Sequence, residues 1–200
     1  MTAIVGFLAT LQTGTKEVPV VIVGSDGRIN AGDKITTESY RKVFMLDPHL
    51  VLGISGNLSL LIEVVESCEE EMKQVREKNL SVAKKVRRVC EFLKKHSHKE
   101  IEFFLAGCDP RNHKCFLYQF SDKNLVFSRT KERYAGIGIG AESACVALMM
   151  HAGKIYTEGE AIALMHTIMQ SISKVNITTG GQIRVHLVTP DGVKEKVFRR

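Results

Sequence analysis

The chain has no tryptophan, and aromatic residues make up only 6% of its 200 positions. Proteins that hold single-stranded nucleic acid interleave basic residues with aromatic stacking platforms. The net charge of +6 therefore does not read as a nucleic-acid surface. The clearest basic cluster is Lys84, Lys85, Arg87, Arg88, Lys94, Lys95 and Lys99, and only Phe92 interrupts it. Val82, Val86, Val89 and Leu93 recur through it at helical spacing, which predicts the solvated or partner-contacting face of an amphipathic helix. No apolar run approaches the roughly 18 to 20 residues that span a bilayer, so no membrane partner is expected. Met1 through Ala9 carries no Lys or Arg, unlike the basic start of a signal peptide, which predicts a cytoplasmic protein. Proline occurs only four times, and no stretch rich in Pro, Gly or Ser marks a linker. Residues 1–200 are expected to form one domain.

Metal and redox frameworks are missing as well. The five cysteines, Cys68, Cys90, Cys108, Cys115 and Cys145, are odd in number and form no C-x-x-C. Neither a zinc site nor a disulfide framework follows, and free buried thiols are expected. His96 and His98 lie two apart in a polar turn without carboxylate or thiol at ligand spacing. No metal or cofactor is predicted. Gly136-Ile137-Gly138-Ile139-Gly140 lacks the spacing of a dinucleotide fingerprint, and no phosphate-loop, zinc-peptidase or serine-hydrolase motif occurs.

What is present is a regular alternation of elements. Thr2–Leu8 and the β-branched run Val18–Val23 read as strands, joined by a long polar turn over Thr10–Glu17. Short strands follow around Lys42–Met45 and Leu50–Ile54. Ser55-Gly56-Asn57 then opens a helix whose apolar stripe is Leu58, Leu61, Ile62, Val65 and Cys68. A second helix covers Ser81–Lys95. Strands are predicted at Ile101–Gly107, Lys114–Phe120, Leu125–Ser128 and Tyr134–Gly140, with turns at Asp109–Asn112 and Ser121–Asn124. Helices at Ala141–His151 and Thr157–Lys174 precede a closing hairpin of Gln182–Val188 and Val193–Phe198. Helices arriving in sequential pairs between antiparallel hairpins indicate an α+β layered fold, not a doubly wound parallel sheet.

One set of residues carries chemistry when read together: Thr2, then Asp26-Gly27-Arg28, Ala31-Gly32, Lys42-Val43, Asp47-Pro48 and Ser55-Gly56. This order resembles the proteasome β-subunit family and its bacterial ring-protease relatives, all N-terminal-nucleophile hydrolases. The intervals of 16 residues from Asp26 to Lys42 and 14 from Lys42 to Gly56 are those of the family. The resemblance implies a four-layer αββα sandwich and a threonine peptidase with Thr2 as nucleophile, exposed by loss of Met1. A threonine hydroxyl is a weak nucleophile without a base. The α-amine of a first residue titrates near 7.7–8.0 and can serve as that base. In this reading Lys42 supplies positive charge beside the amine, Asp26 orients Lys42, and Arg28 braces the turn. The Gly56 N–H, at a helix start, faces the oxyanion.

The sequence also departs from the family. Ile139 stands where the family has serine within a G-S-G triplet. Asn176 and Thr179 precede Gly180-Gly181 where the family has Asp and Ser, which alters the support expected around the amine. The first hairpin is longer than usual, so Thr10, 16 residues before Asp26, rivals Thr2 should cleavage follow Ala9. Thr2 is preferred because it opens a strand. Two alternatives stay open: an amidase or transpeptidase on the same fold, and an inactive structural subunit. The resemblance further implies a homo-oligomeric ring or spiral, unfolded protein or peptide as substrate, and an ATP-dependent unfoldase or regulator as partner.

Overall fold

Val20, Val21, Ile22 and Val23 are all fully buried, so the polar alternation of a half-exposed strand is missing here for a structural reason. Both faces of this strand are covered. The computed structural model describes residues 2–31, 34–77, 80–95, 101–120, 128–129, 133–176 and 178–199. In it β1 (Ile4–Thr13) and β2 (Lys16–Asp26) form an antiparallel hairpin. Val20 and Ile22 face one layer of helices, whereas Val21 and Val23 face a second sheet.

β3 (Ile29–Ala31) and β4 (Lys34–Thr37) make a small separate hairpin. The second sheet begins with β5 (Val43–Asp47) and β6 (Leu50–Gly56). The helices α1 (Leu58–Glu77) and α2 (Val82–Lys95) follow, then β7 (Ile101–Asp109), β8 (Lys114–Phe120) and β9 (Ser128–Arg129). Strand β10 (Tyr134–Ile137), helix α3 (Ala141–His151), strand β11 (Ile155–Tyr156), helix α4 (Glu158–Val175) and strands β12 (Ile183–Thr189) and β13 (Gly192–Phe198) complete the chain. The first sheet runs β10-β1-β2-β12-β13 with β11 beside β1, and the second runs β5-β6-β7-β8-β9.

Three apolar clusters define the layers. One lies between the first sheet and α3/α4, with Phe7, Ile22, Met165 and Met169. Another lies between the second sheet and α1/α2, with Leu52, Phe103, Met72 and Val89. The third, with Ile4, Val23, Val51 and Phe104, fills the space between the sheets. The order is helix pair, sheet, sheet, helix pair, the αββα sandwich that the resemblance implies. The sheets approach closely where Ile4 meets Gly53, at which an added Cβ would sit 3.0 Å from the isoleucine. Among the described residues no helix is long and apolar enough to cross a membrane.

Most elements match the sequence reading, and α3 has the predicted bounds. Thr157 caps α4 and exchanges side-chain and backbone hydrogen bonds with Glu160, a reciprocal cap that fixes its start. Val82, Val86, Val89 and Leu93 are buried beneath α2 as the spacing predicts. Lys85 differs from the rest of the basic face, because its Nζ reaches Asp47 Oδ2 at 2.6 Å and ties α2 to β5.

Two expectations are corrected. The stretch Thr10–Glu17 is not a long turn: β1 and β2 stay paired out to Thr13 and Lys16, leaving Gly14 and Thr15 as the turn. The far end of this hairpin projects beyond the core, so its polar side chains remain solvated while the backbone stays paired. The second correction concerns Cys108 and Cys115, which are bridged as a disulfide rather than free. They stand directly opposite each other in the β7–β8 register, with Cα atoms 4.0 Å apart. Cys68 and Cys90 are free, and burial pushes both thiols up to about 12, so they stay protonated and unreactive. Met1, Gly32, His96, His98, Lys99 and the predicted turn and strand at Ser121–Phe127 lie outside the described residues, as does the side chain of Cys145.

The far strands carry a charge cluster with a measurable signature. His186 Nε2 on β12 lies 3.3 Å from Glu195 on β13, which also meets Arg184 at 3.2 Å and Arg41 at 3.0 Å. The hydrogen bond from His186, with help from both arginines and against desolvation, holds the Glu195 carboxyl at about 2 rather than 4.5. A carboxylate depressed in the folded state stabilises it above the ordinary value and loses that contribution as pH falls toward the folded value. Glu195→Gln is therefore expected to lower the melting temperature at pH 7. The difference from the parent should shrink between about pH 4.5 and pH 2. A difference independent of pH over that window would contradict this assignment.

Candidate functional site

The strand ends that matter all fall at one edge of the sandwich. Antiparallel register places Ile4 opposite both Ser25 and Ile137, so Thr2 and Ala3 emerge beside the end of β2 and the end of β10. Ile183 pairs with Asp26, which brings the Gly180-Gly181 turn to the same place. In the second sheet Val43 pairs with Gly53 and Gly56 pairs with Ile101, so Lys42 and Gly56 share that edge.

Asp26 is the hub and is completely buried. Its Oδ1 accepts from the Ala3 N–H at 2.8 Å and from Lys42 Nζ at 2.8 Å. Its Oδ2 accepts from the Arg28 N–H at 3.3 Å and the Gly180 N–H at 3.1 Å. The shared Oδ1 sets the Lys42 ammonium beside the Thr2–Ala3 peptide. Lys42 is 2% exposed and also donates to the Arg28 carbonyl at 2.7 Å. Burial pushes the Lys42 ammonium below its ordinary value, the Asp26 carboxylate opposes this by charge and hydrogen bond, and the Arg28 charge adds to the lowering. Four donors on one carboxylate offset the cost of taking it out of water.

Arg28 lies at the turn as the sequence reading expects. Its Nη2 donates to Glu38 Oε1 at 2.7 Å, and its guanidinium packs on Gly180, where an added Cβ would sit 3.0 Å from Cζ. The Gly27 N–H donates to the Gly180 carbonyl at 3.0 Å. The glycine pair is thus part of the cradle around Asp26, a contact that the sequence pattern does not itself disclose. Glu38 is likewise absent from the sequence reading, because nothing in its local pattern points across the β3–β4 hairpin.

Thr2 is 5% exposed and opens into two clefts. Among the described residues its hydroxyl has no hydrogen-bond partner. The smaller cleft, of about 230 Å³, is lined by Ile29, Asn30, Tyr40, Lys42, Gly56 and Leu61, among others. The larger, of about 560 Å³, is lined by Ser55, Gly56, Glu102, Gly138, Ile139 and Glu142 as well as Thr2. Gly56 lies on both, between β6 and α1.

The remaining sequence-predicted residues lie differently. Thr179 is fully buried, and its hydroxyl lies 3.0 Å from the Asn176 carbonyl and 3.5 Å from that of Ile172, closing the last turn of α4. Asn176 accepts from the Thr178 N–H and hydroxyl at 3.1 and 2.6 Å. Neither side chain has a hydrogen bond to Thr2 or Asp26 among the described residues. Thr10 is paired within the sheet, opposite Pro19 and beside Ile155, so the structure brings Thr2 and not Thr10 to Asp26. Ile139 is 57% exposed on the wall of the larger cleft.

Comparison with known proteins fits this geometry. The sequence profile described as proteasome subunit matches residues 13–188. The chain is 25% identical over 182 residues to proteasome subunit beta 1 of Thermococcus gammatolerans, covering 88% of this chain and 87% of the relative. It is 26% identical over 188 residues to proteasome subunit beta 1 of Thermococcus kodakarensis, with 88% and 86% covered. To the proteasome subunit beta of Streptomyces griseus it is 24% identical over 191 residues, with 90% and 67% covered. A profile match over most of the chain, on a four-layer sandwich whose buried Asp26–Lys42 pair lies beside the Thr2–Ala3 peptide, places the chain in the proteasome subunit family.

Proposed function

We propose that the protein is a threonine peptidase whose nucleophile is Thr2, made N-terminal by removal of Met1. One observation carries the reading: the Asp26 carboxylate holds the Ala3 N–H and Lys42 Nζ on a single oxygen. A buried cation so placed favours the deprotonated forms of the adjacent hydroxyl and amine. In the proposed reaction the Thr2 amine takes the Oγ proton as Oγ attacks the peptide carbonyl carbon. The Gly56 N–H, at the entrance to α1, donates to the developing oxyanion. The amine then delivers the proton to the leaving amide nitrogen, and the C–N bond breaks to leave an ester on Thr2. Water, deprotonated by the same amine, attacks the ester and restores the hydroxyl. Asp26 and Arg28 act by positioning, and Thr179 and Asn176, bonded to the Ile172 carbonyl at the end of α4, serve as support for the strand ends around Asp26. Family membership supports the further proposal of a cytoplasmic ring or spiral that cuts unfolded protein delivered by an ATP-dependent unfoldase.

The test is a peptide epoxyketone, which needs both the hydroxyl and a free α-amine. Intact-mass measurement is expected to find one adduct per chain on protein lacking Met1, and none on Thr2→Ala. Protein that has lost Met1 and still acquires no adduct would refute the proposal.

A further inference from the structure

We infer that the larger cleft beside Thr2 selects a basic side chain, lysine or arginine, on the peptide that lies across it. The inference rests on the peptidase reading for its setting. Its ionisable lining residues among those described are both acidic, Glu102 and Glu142. The chain as a whole carries +6, so a cleft with acidic walls runs against the overall charge. Glu102 is held in place, since its Oε2 accepts from the Gly138 N–H at 2.7 Å. It stands directly across the β6–β7 register from Ser55. Ser55 is 6% exposed and lines the cleft, and its hydroxyl has no hydrogen-bond partner among the described residues. Two largely buried residues, Thr2 and Ser55, therefore open on the same space with hydroxyls that have no partner among the described residues.

The remaining wall explains why the ligand is a long cation rather than a compact one. Ile139, more than half exposed, is among the residues that line the cleft. Lysine and arginine carry an apolar stem that packs on such a surface, with the charge at the far end. Glu142, exposed in the first turn of α3, also lines the cleft. A volume of about 560 Å³ accommodates such a side chain with room for water. The smaller cleft contrasts: Ile29, Tyr40 and Leu61 line it, and its cation Lys42 is already paired with Asp26. Thr2 lies where the two clefts meet, so the residues on the two sides of the cut bond meet different chemistry.

Binding tests this without depending on turnover. Fluorescein-labelled octapeptides of alanine with a central Lys-Lys, Gln-Gln or Glu-Glu pair are titrated against the full-length Thr2→Ala protein in about 50 mM salt. The Lys-Lys peptide is expected to bind about tenfold tighter than the Gln-Gln peptide, the scale of one charge-assisted contact. The added pair Glu102→Gln and Glu142→Gln should bring the two within about twofold. Glu63→Gln with Glu66→Gln, on the exposed face of α1, should leave the preference intact. Because Glu102 holds Gly138, Glu142→Lys alone provides a second reading at an exposed position, and it should shift the preference toward Glu-Glu. Equal binding of the three peptides to Thr2→Ala, or a lysine preference that survives both changes, would overturn the inference. A failure of epoxyketone labelling counts against the peptidase reading instead, so the two failures are separable.

Discussion

Asp26→Asn is expected to abolish epoxyketone labelling at Thr2 and to lower the melting temperature by roughly 10 °C. The stability loss follows from burial. Lys42 is 2% exposed, and removing the partner of a buried charge costs about 3–5 kcal/mol. For a domain of this length each kcal/mol shifts the midpoint by about 2–4 °C. Asparagine also presents an NH₂ group toward one of the four donors now on the carboxylate. The reactivity loss has a separate origin. With Asp26 neutral, the force that opposes the lowering of the Lys42 ammonium disappears, so Lys42 loses its proton more readily and its field at Thr2 weakens. Loss of such an electrostatic and proton-transfer arrangement reduces rates by about 10²-fold or more.

The two effects are separable by a double variant. Replacing a buried ion pair with well-packed apolar groups of similar volume is often neutral or stabilising by about 1–4 kcal/mol relative to the intact pair, whereas breaking the pair costs about 3–5 kcal/mol. Asp26→Asn combined with Lys42→Met should therefore melt higher than Asp26→Asn alone while remaining unlabelled. Recovery of labelling together with stability would show that the pair is structural only, and the proposed role of Lys42 would fall.

The same residues show how much was legible beforehand. Asp26, Arg28, Lys42 and Gly56 were legible through the resemblance to the family, whose intervals local pairing keeps fixed: β5 and β6 form a short hairpin, and β2 ends at a turn. Thr2 was expected to open the first strand, but that strand begins at Ile4, and the register with β2 together with the Ala3 N–H bond to Asp26 brings Thr2 to the site. The contacts that the sequence did not disclose are those spanning distant segments. Gly180 meets Asp26 across 154 positions, and Glu102 meets Gly138 across 36. Neither pair leaves a periodic or compositional mark. The hairpin misreading has the same cause, since Thr10–Glu17 is polar because it leaves the core, not because it bends. The Cys108–Cys115 bridge leaves no mark in cysteine number or in a C-x-x-C spacing, because a hairpin pairs residues by their distance from its turn.

Gly138→Ala is expected to reduce labelling at Thr2 by more than about tenfold, and Gly14→Ala to leave it unchanged. Both glycines have left-handed backbone, with φ of 82° and 60°. An alanine in that region costs roughly 1–2 kcal/mol at either site. The surroundings differ. Gly14 has nothing within 4 Å of an added Cβ, so Gly14→Ala should lose only that backbone contribution, roughly 2–8 °C in melting temperature. At Gly138 the Cβ would fall against the carbonyl oxygen of Thr2 and within 3.2 Å of Ser55 Oγ. The Thr2 backbone cannot yield freely, because Ala3 is tied to Asp26. Gly138 cannot yield freely either, because its N–H is tied to Glu102 and its carbonyl accepts the Ala141 N–H at 3.0 Å. The strain therefore displaces the nucleophile itself, and displacements of about 1 Å cost up to about 10²-fold in rate. Measuring the labelling rate and the melting temperature of both variants separates the two contributions. If Gly138→Ala is labelled at the parent rate, the close packing of Gly138 on Thr2 does not hold the nucleophile, and the tie to Asp26 alone must position it.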